Sequence, residues 1–379
     1  MNRGLTLFVS IFAIYTILCG CERKASIPPS GKIVKVGIIA PLTGSDASQG
    51  KDGLSGVYTA LKLMPLLDNG DRVEIVIKDD QNDPDKSVNA LKEIVEIDGA
   101  AAVVTFSSSG PVLALGRVAN EYQTPIIAAL ATHPDVVKTN NFVSQVCFDN
   151  VFQGNVAALY VRDELLIDRV AVFDSQDSIY TGNMAAIFAE KFTSLGGEIT
   201  DRIRLQSGEE DLSAVLTRVR LKQPELLYLP IAIKDVIRIV QVVRTMGWAP
   251  KLMASDGLMA SAVSRDPDQV ELLDGIVETD LFHYDSQKTR FGEKAIKAHK
   301  GRQNSYSALG VESFAILLKA MNRCIDPTDK SCINRQIRTT KDFEGILGKI
   351  SIDSQGRAYR PVVINAIKGG RLHHIVKVY

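Results

Sequence analysis

Short apolar runs alternate with amphipathic segments along most of the chain, and this alternation constrains the fold more than any other feature. The runs are rich in Val, Ile and Ala and are continuous in hydrophobicity, as expected for strands that are buried on both faces of a sheet. The predicted strands are 33–40, 73–79, 101–106, 125–129, 169–174, 225–230, 251–254, 275–281 and 361–366.

The segments between these runs carry helical signals. Asp83 and Pro84 predict an N-cap followed by proline in the first turn of a helix. Apolar residues at i, i+3, i+4 and i+7 predict a helix with one buried face. Two such sets are Leu212, Val215, Leu216 and Val219, and Val236, Ile239, Val240 and Val243. Strands that alternate with helices over a whole chain predict an α/β fold with parallel sheets, and we expect a boundary between two such units near 145–150.

Length and charge narrow the class of protein. The chain has 379 residues, a length that suggests about two domains. It carries 44 Lys and Arg against 44 Asp and Glu, and this balance argues against nucleic acid as a partner, because nucleic-acid binding needs a basic face.

The N-terminal region predicts export and attachment to a membrane. Arg3 precedes an uncharged run over 5–18, which is shorter than the roughly 20 residues of a membrane-spanning helix and is typical of a secretory signal peptide. The tetrapeptide that ends in Cys21 resembles the bacterial lipobox. That resemblance implies a signal peptide over 1–20, a lipid on Cys21 and a tether over 21–31. An ordinary signal peptide that is cleaved nearby is the alternative, and a Cys19–Cys21 metal or redox pair would lack further ligands.

The remaining cysteines fit an exported protein. Cys324 and Cys332 bracket the short stretch "CIDPTDKSC", and an oxidising compartment favours a disulfide between them. Cys147 is left over, and we expect it to be a buried apolar residue.

Polar stretches follow several predicted strands: "SSSGPV", "LATHP", "SQDSIYTG" and "SDG". In parallel α/β sheets, ligands bind outside the carboxyl ends of the strands. Hydroxyls and helix-start amides suit a carboxylate, and an aspartate across the cleft suits an ammonium. These stretches predict a site for an amino acid or a similar zwitterion, although each one alone also fits a plain turn.

Three long stretches identify a family resemblance. They are "KVGIIAPLTGSDASQGKDGLSGVYTALKLM", "IKDDQNDPDKSVNALKEIV" and "AAVVTFSSSGPVLALGRVANEYQTPIIAALATHP". The chain over 32–379 resembles the Leu/Ile/Val-binding branch of type 1 periplasmic binding proteins. The resemblance implies two Rossmann-like lobes joined by a three-crossover hinge, with 32–146 and 281–352 in the N-terminal lobe and 147–280 and 353–379 in the C-terminal lobe. It also implies a ligand trapped between the lobes, delivery to the permease of an ABC importer on the extracytoplasmic side of a bacterial membrane, no cofactor and no catalysis.

The same resemblance assigns ligand-binding roles in the first lobe. Ser109 matches the serine that holds the ligand carboxylate, and Ser108 is the alternative if the serine run is shifted by one residue. Leu130 matches a residue that offers its backbone, and Thr132 matches the threonine that supports the same carboxylate. Gln49 lies on the first loop, where the family also approaches its ligand.

In the second lobe the resemblance assigns two residues and shows one departure. Tyr180 resembles the cleft tyrosine, and Asp256 stands where amino-acid binders carry an acid for the ammonium. Ala232 occupies the position where such binders often place an aromatic residue. Leu130 is a second departure, since the family has a small residue there. Both departures bear on which class of ligand the site binds rather than on the fold.

Enzyme and metal sites are not predicted. The sequence has no G-x-S-x-G elbow, no H-E-x-x-H and no P-loop, and glycines at 50, 53 and 56 do not have the spacing of the dinucleotide fingerprint. Asp79, Gln81 and Asp83 resemble the start of an EF-hand loop, but Pro84 stands at the required glycine and Ala90 at the terminal glutamate. The adjacent histidines 373 and 374 are expected on an exposed terminal strand, so we predict no metal.

Two non-enzymatic functions compete. The first is a solute receptor for an importer, favoured by the set Ser109, Thr132, Tyr180 and Asp256. The second is a lipoprotein sensor or protein-interaction module with the same fold and a degenerate cleft, for which the observation is Ala232.

Overall fold

The computed structural model describes residues 31–206, 211–265, 267–301 and 303–379. The predicted signal peptide, Cys19 and Cys21 lie outside the described residues, as does nearly all of the tether. None of the helices in the described ranges combines the length and hydropathy that a membrane-spanning segment requires.

The first lobe is built on a five-stranded parallel sheet with the order β2-β1-β3-β4-β5. Its strands are β1 (Ile33–Ala40), β2 (Arg72–Asp79), β3 (Ala102–Thr105), β4 (Ile126–Ala128) and β5 (Val143–Gln145). The helices between them are α1 (Ala47–Leu63), α2 (Pro84–Glu96), α3 (Ser109–Glu121) and α4 (Asp135–Lys138). β3 is buried along its whole length, as predicted for a strand covered on both faces.

The second lobe contains a seven-stranded sheet with the order β15-β14-β10-β9-β8-β6-β7. Its parallel part comprises β6 (Arg169–Ser175), β7 (Glu198–Leu205), β8 (Leu226–Leu229), β9 (Lys251–Ala254) and β10 (Val277–Asp280). The associated helices are α5 (Asn150–Leu159), a π-helical turn (Tyr160–Glu164), α6 (Ile179–Ser194), α7 (Leu212–Leu221), α8 (Ile233–Thr245), α9 (Leu258–Arg265) and a 3₁₀ segment (Pro267–Leu273).

The C-terminal part of the chain contributes to both lobes. It comprises α10 (Arg290–Ala298), α11 (Ser305–Asn322), α12 (Lys330–Ile337), β11 (Phe343–Glu344), β12 (Lys349–Ile352), β13 (Ala358–Tyr359), β14 (Val362–Lys368) and β15 (Arg371–Val378). β11, β12 and β13 form a small antiparallel sheet, whereas β14 and β15 join the seven-stranded sheet in antiparallel orientation. The predicted lobe boundaries at 146/147, 280/281 and 352/353 remain a proposal.

The N-cap and the apolar periodicity that predicted helices correspond to contacts in the structure. The Asp83 carboxylate accepts a hydrogen bond from the Lys86 amide at 2.9 Å, and Pro84 occupies the first turn of α2. The buried faces of α7 and α8 include Leu216, Val219, Val236, Ile239, Val240 and Val243. Helix N-caps and apolar periodicity therefore position these elements against the sheets.

The glycines of α1 serve helix packing. A Cβ atom at Gly56 would overlap the Ser307 carbonyl oxygen, and a Cβ atom at Gly310 would overlap the Gly53 carbonyl oxygen. The backbones of α1 and α11 therefore approach each other closely, which only residues without a side chain permit.

Several strands were not predicted from the sequence, namely β5, β7, β11, β12 and β13. The terminal strand expected at histidines 373 and 374 is β15. β7 reads "EITDRIRL" and carries charges on an edge of the sheet, so it lacks the continuous apolar run that marks the central strands. β14 and β15 are joined by Gly369 and Gly370, which both have positive φ and form a two-residue hairpin turn that favours glycine.

Two cysteine predictions concern the described residues. Cys324, just after α11, forms a disulfide with Cys332 in α12. Cys147 is free and buried, and its thiol donates a hydrogen bond to the Ala131 carbonyl at 3.3 Å. Burial raises the pKa of the Cys147 thiol, which keeps it in the unreactive protonated form.

Candidate functional site

A cavity of about 500 Å³ lies between the two lobes at the carboxyl ends of their strands. Residues that follow β2, β3 and β4 line one side, and residues that follow β6, β8, β9 and β10 line the other. The residues that line the cavity include Gln49, Asn82, Ser108, Ser109, Leu130, Tyr180, Ala232, Ser255, Asp256, Asp280, Ser305 and Tyr306. A crevice of this kind is the usual ligand site of open α/β sheets.

The first-lobe wall is formed by Ser108, Ser109 and the N-terminus of α3. Ser108 is the N-cap of α3, and its side chain makes no capping hydrogen bond. Ser109 is buried, and its hydroxyl accepts a hydrogen bond from the His133 amide at 3.3 Å. A helix N-terminus without a side-chain cap offers amide donors and a partial positive charge, so this wall suits an anionic group.

A buried polar network holds the serine loop in place. The Ser107 hydroxyl donates to the Asp80 carboxylate, which also accepts from the Ser87 hydroxyl of α2 at 2.6 Å. The Ser108 amide donates to Asn82 Oδ1 at 2.8 Å. The loops after β2 and β3 are therefore tied together, which fixes the direction of the α3 N-terminus.

The other first-lobe predictions have different positions. Gln49 and Leu130 line the cavity. Thr132 is not among the lining residues; it is buried, and its hydroxyl oxygen has no hydrogen-bond partner among the described residues. The structure thus brings Gln49, Ser108, Ser109 and Leu130 together at the cavity and leaves Thr132 behind them.

The second-lobe wall is formed by Tyr180, Ser255, Asp256 and Asp280. The Tyr180 hydroxyl lies 2.7 Å from Asp256 Oδ1 and 2.8 Å from the Ser255 hydroxyl. Gln153 Nε2 donates to the same Asp256 oxygen at 2.8 Å. Burial raises the pKa of Asp256, and hydrogen bonds from Tyr180 and Gln153 oppose that change. Burial and the nearby Asp256 charge raise the pKa of Tyr180 well above its ordinary value, so this phenol remains a hydrogen-bond donor.

Asp280 places a second carboxyl group on this wall. Ser305 Oγ donates to Asp280 Oδ2 at 2.6 Å, and the Leu281 amide donates to Oδ1 at 2.6 Å. Burial raises the pKa of Asp280 to about 7, and the charge of Asp256 adds to this effect. Sequence reasoning missed Asp280, because the strand predicted at 275–281 placed the residue inside the strand, whereas β10 ends at Asp280.

Charged side chains around the cavity are mostly acidic. The lining carboxyl groups are Asp46, Asp177, Asp235, Asp256 and Asp280, whereas Lys234 is the one cationic lining side chain in the described part of the chain. Asp235 is paired with Arg238 at 3.3 Å. The cavity therefore presents a negative potential to an approaching solute.

An aromatic side chain enters the cavity from an unexpected element. Ala232 is the N-cap of α8 and lines the cavity, as the resemblance indicated. Tyr306, at the start of α11, also lines it, and its hydroxyl lies 2.7 Å from the Ser261 hydroxyl and 3.2 Å from the Gly257 carbonyl oxygen. No sequence pattern that we used pointed to Tyr306, because the residue follows no strand.

The histidines near the C-terminus differ from each other in environment. His373 is exposed on β15, whereas His374 is half-buried with its ring centroid 5.4 Å from that of His283. Among the described residues, no group of three or more His, Cys, Asp or Glu side chains is arranged to hold a metal ion.

Known proteins resemble this chain in sequence and in structure. The amino acid binding protein of Pseudomonas aeruginosa is 25% identical over 65% of this chain and 66% of its own length. The Leu/Ile/Val-binding protein BraC3 of Rhizobium johnstonii is 31% identical over 52% of this chain and 53% of its own length. The matched region thus spans less than two thirds of each of these relatives.

A solved structure matches over a longer region. The leucine-binding protein LivK of Thermotoga maritima is 27% identical to this chain, with a TM-score of 0.84 over 91% of this chain and 98% of its own. The family model described as "Periplasmic binding protein" matches residues 33–371. This chain therefore belongs to the periplasmic binding protein family.

Proposed function

We propose that this protein is an extracytoplasmic solute receptor that captures an amino acid or a related compound between its two lobes. One observation carries the proposal: the cavity joins an uncapped helix N-terminus with two serines on one wall to a partly buried carboxyl group with a tyrosine on the other. The first arrangement suits a carboxylate, and the second suits an ammonium. A zwitterion satisfies both walls at once.

The proposed roles of individual residues follow from this geometry. Ser109 and the α3 amides bind the anionic end, with Ser108, Gln49 and Leu130 beside them. Asp256 binds the cationic end, and Tyr180 orients the Asp256 carboxylate through its hydroxyl. Thr132 supports the same anionic end from behind the first-lobe wall, where its buried hydroxyl has no hydrogen-bond partner among the described residues.

Delivery to the permease of an ABC importer belongs to the same proposal. Support comes from the family of the chain and from relatives that are named as binding proteins for amino acids or for Leu, Ile and Val. Lipid attachment at Cys21 would hold the receptor on the extracytoplasmic side of a bacterial membrane.

Calorimetric titration of the purified protein with a panel of amino acids tests the receptor function. We expect one class of amino acid or closely related amine to bind with saturation at one ligand per chain. If no amino acid, amide or small acid produces heat or shifts the melting temperature, the proposed receptor function is wrong.

Small-angle scattering tests closure of the cleft. Two lobes connected by crossovers are expected to swing together on the ligand, as in other hinge proteins. The radius of gyration should therefore decrease when the ligand found by titration is added. Identical scattering profiles at saturating ligand would favour a rigid sensor or protein-interaction module.

Substitution of Cys21 tests the lipid anchor. Cys21→Ser removes the thiol that lipid attachment requires, so we expect the protein to leave the membrane fraction or to remain unprocessed. A Cys21→Ser protein that fractionates and matures like the wild type would exclude the anchor without affecting the proposal for the cleft.

A further inference from the structure

The second-lobe wall presents two carboxyl groups to the cavity, whereas an amino acid with an apolar side chain has one ammonium. Asp256 and Asp280 both line the cavity, and both are hydrogen-bonded to neutral groups. Asp256 accepts from Tyr180 and Gln153, and Asp280 accepts from Ser305 and the Leu281 amide. Neutral donors reduce the cost of a buried carboxylate but do not balance its charge.

The cationic side chain that acts on Asp280 is already paired. Arg360 lowers the pKa of Asp280, but its guanidinium forms a buried ion pair with Glu312 at 2.7 Å and donates to the Val146 carbonyl at 3.2 Å. A buried carboxylate is tolerated when a partner compensates it. The cavity is the open side of Asp280, so the compensating charge can come from the ligand.

The two carboxyl groups are held in a fixed relation. Gln153 Nε2 donates to Asp256 Oδ1 and also to the Thr279 hydroxyl, at 2.8 Å in both cases. Thr279 is the neighbour of Asp280 on β10, and it is buried. One amide group therefore connects the loop after β9 with the end of β10, and two acidic positions are presented to the ligand from a rigid support.

Among the described residues, the rest of the cavity lining adds three carboxyl groups and one cationic side chain. Lys234 is exposed, whereas the carboxyl group of Asp235 is engaged by Arg238. Asp46 and Asp177 add further acidic groups to the lining. The field in the cavity therefore favours a solute with net positive charge over a neutral zwitterion.

Resting on the proposed function, we propose that the ligand carries two cationic groups, one that meets Asp256 and a second amine or guanidinium that meets Asp280. The chemical class is a basic amino acid, such as one with an amine or guanidinium at the end of its side chain. An amino acid with a purely apolar side chain would leave the Asp280 carboxylate with neutral hydrogen-bond donors but no cationic partner.

Matched ligands test this inference by titration calorimetry. Lysine and norleucine differ in the terminal amine, and arginine and citrulline differ in the charge of the terminal group. We expect the charged member of at least one pair to bind about tenfold or more tightly than its neutral partner, a factor that corresponds to about 1.4 kcal/mol. If norleucine or leucine binds as tightly as lysine and arginine, the inference is wrong.

Two matched variants locate the effect. Asp280→Asn keeps the shape of the side chain and removes its charge, so the affinity ratio of lysine to norleucine should fall toward one. Glu278→Gln removes a buried carboxyl group that interacts with Asp280 but does not line the cavity, so the ratio should stay well above one. A ratio that stays unchanged in Asp280→Asn, with a melting transition that shows a folded protein, would overturn the assignment of the second cation to Asp280.

The ligand panel separates failure of this inference from failure of the proposed function. Leucine, isoleucine or valine binding better than any basic amino acid would contradict the dicationic ligand and leave the amino-acid receptor intact. Putrescine, which has two amines and no carboxylate, binding better than any amino acid would retain the two cation positions and contradict the zwitterion. Absence of binding by every member of the panel would contradict both.

Discussion

The first-lobe wall of the cleft offers neutral dipoles, whereas the second-lobe wall offers buried carboxyl groups. Ser108, Ser109 and the α3 N-terminus present hydroxyls and main-chain amides, which do not titrate in the physiological range. Asp256 and Asp280 titrate, and burial raises the pKa of both. The two walls therefore differ in how their contribution to binding depends on pH and on the charge of the ligand.

Under the proposed function, this difference gives the two lobes separate tasks in ligand binding. Helix amides and hydroxyls recognise a carboxylate through directional hydrogen bonds, each of modest strength because water competes for the same groups. Buried carboxyl groups discriminate by charge, because leaving one of them without a partner in a closed cleft is costly. Loss of a second-wall carboxylate should therefore change affinity more than loss of a first-wall hydroxyl.

The largest effect is expected for Asp256→Ala. The ligand ammonium would lose its partner inside the closed cleft, at a cost of about 3–5 kcal/mol, so binding of an amino acid should be abolished in a calorimetric titration. Wild-type affinity in this variant would show that the ligand has no cation at that position, and an uncharged or purely acidic solute would replace the amino acid.

A substitution outside both walls provides the control for stability. Replacing Cys324 and Cys332 by serine removes a disulfide that joins the end of α11 to α12. Loss of this short closed loop should lower the free energy of unfolding by roughly 2–3 kcal/mol and leave ligand affinity unchanged. If ligand affinity falls as well, loss of stability alone weakens binding. The affinity changes measured for substitutions in the two walls would then have to be corrected for the stability that each variant loses.

A smaller effect is expected for Ser109→Ala. This change removes a hydrogen bond to a charged ligand group and should cost roughly 1.5–3 kcal/mol of binding free energy. The α3 amides remain, so titration should detect weakened but measurable binding. If Ser109→Ala abolishes binding while Asp256→Ala only weakens it, the division of tasks between the walls is reversed.

The smallest effect concerns the stability of the ligand-free protein. The pKa of Asp280 is about 7 in the folded protein against an ordinary value of 3.8, because burial and the charge of Asp256 disfavour ionisation. Arg360 lowers the pKa of Asp280, and the Asp280 charge in turn helps to raise the pKa of the neighbouring Glu278. Between those values the folded state binds more protons than the unfolded state, so the Asp280 contribution to the free energy of unfolding falls as pH rises.

Asp280→Asn should remove that dependence. At pH 8 we expect its melting temperature to exceed that of the wild type by about 2–4 °C, the shift that roughly 1 kcal/mol produces in a domain of 150–250 residues. At pH 5 the difference should shrink, because the wild-type carboxyl group is then protonated. A difference that is constant from pH 5 to pH 8 would show that Asp280 does not carry the titration.

The central strands and their helices were predictable because their sequence patterns match their packing. Continuous apolar runs become strands that are buried on both faces, and helices place their apolar faces against the sheets. The strand predicted at 33–40 coincides with β1, and that predicted at 251–254 coincides with β9. The strand β7 escaped prediction because this edge strand keeps charged residues on an exposed face. Its pairing depends on a neighbouring strand that is distant in sequence.

The candidate site was predictable where it follows strands and unpredictable where it does not. Ser108, Ser109, Tyr180 and Asp256 were found by combining the strand-end rule with the family resemblance, and all four line the cavity. Tyr306 and Gln153 lie in helices, where the strand-end rule does not apply, and their contacts with Ser261 and Asp256 depend on packing between elements that are distant in sequence. A single sequence contains no local signal for that geometry.

The most direct test of the two-wall account is the chemical identity of the ligand that the protein itself selects. The protein can be purified from cells without denaturation, unfolded, and the released small molecules analysed by mass spectrometry. The account predicts a compound with a carboxylate and at least one amine or guanidinium, in stoichiometric amount and absent from the Asp256→Ala protein. Release of an uncharged sugar or of an acid without any amine would contradict it.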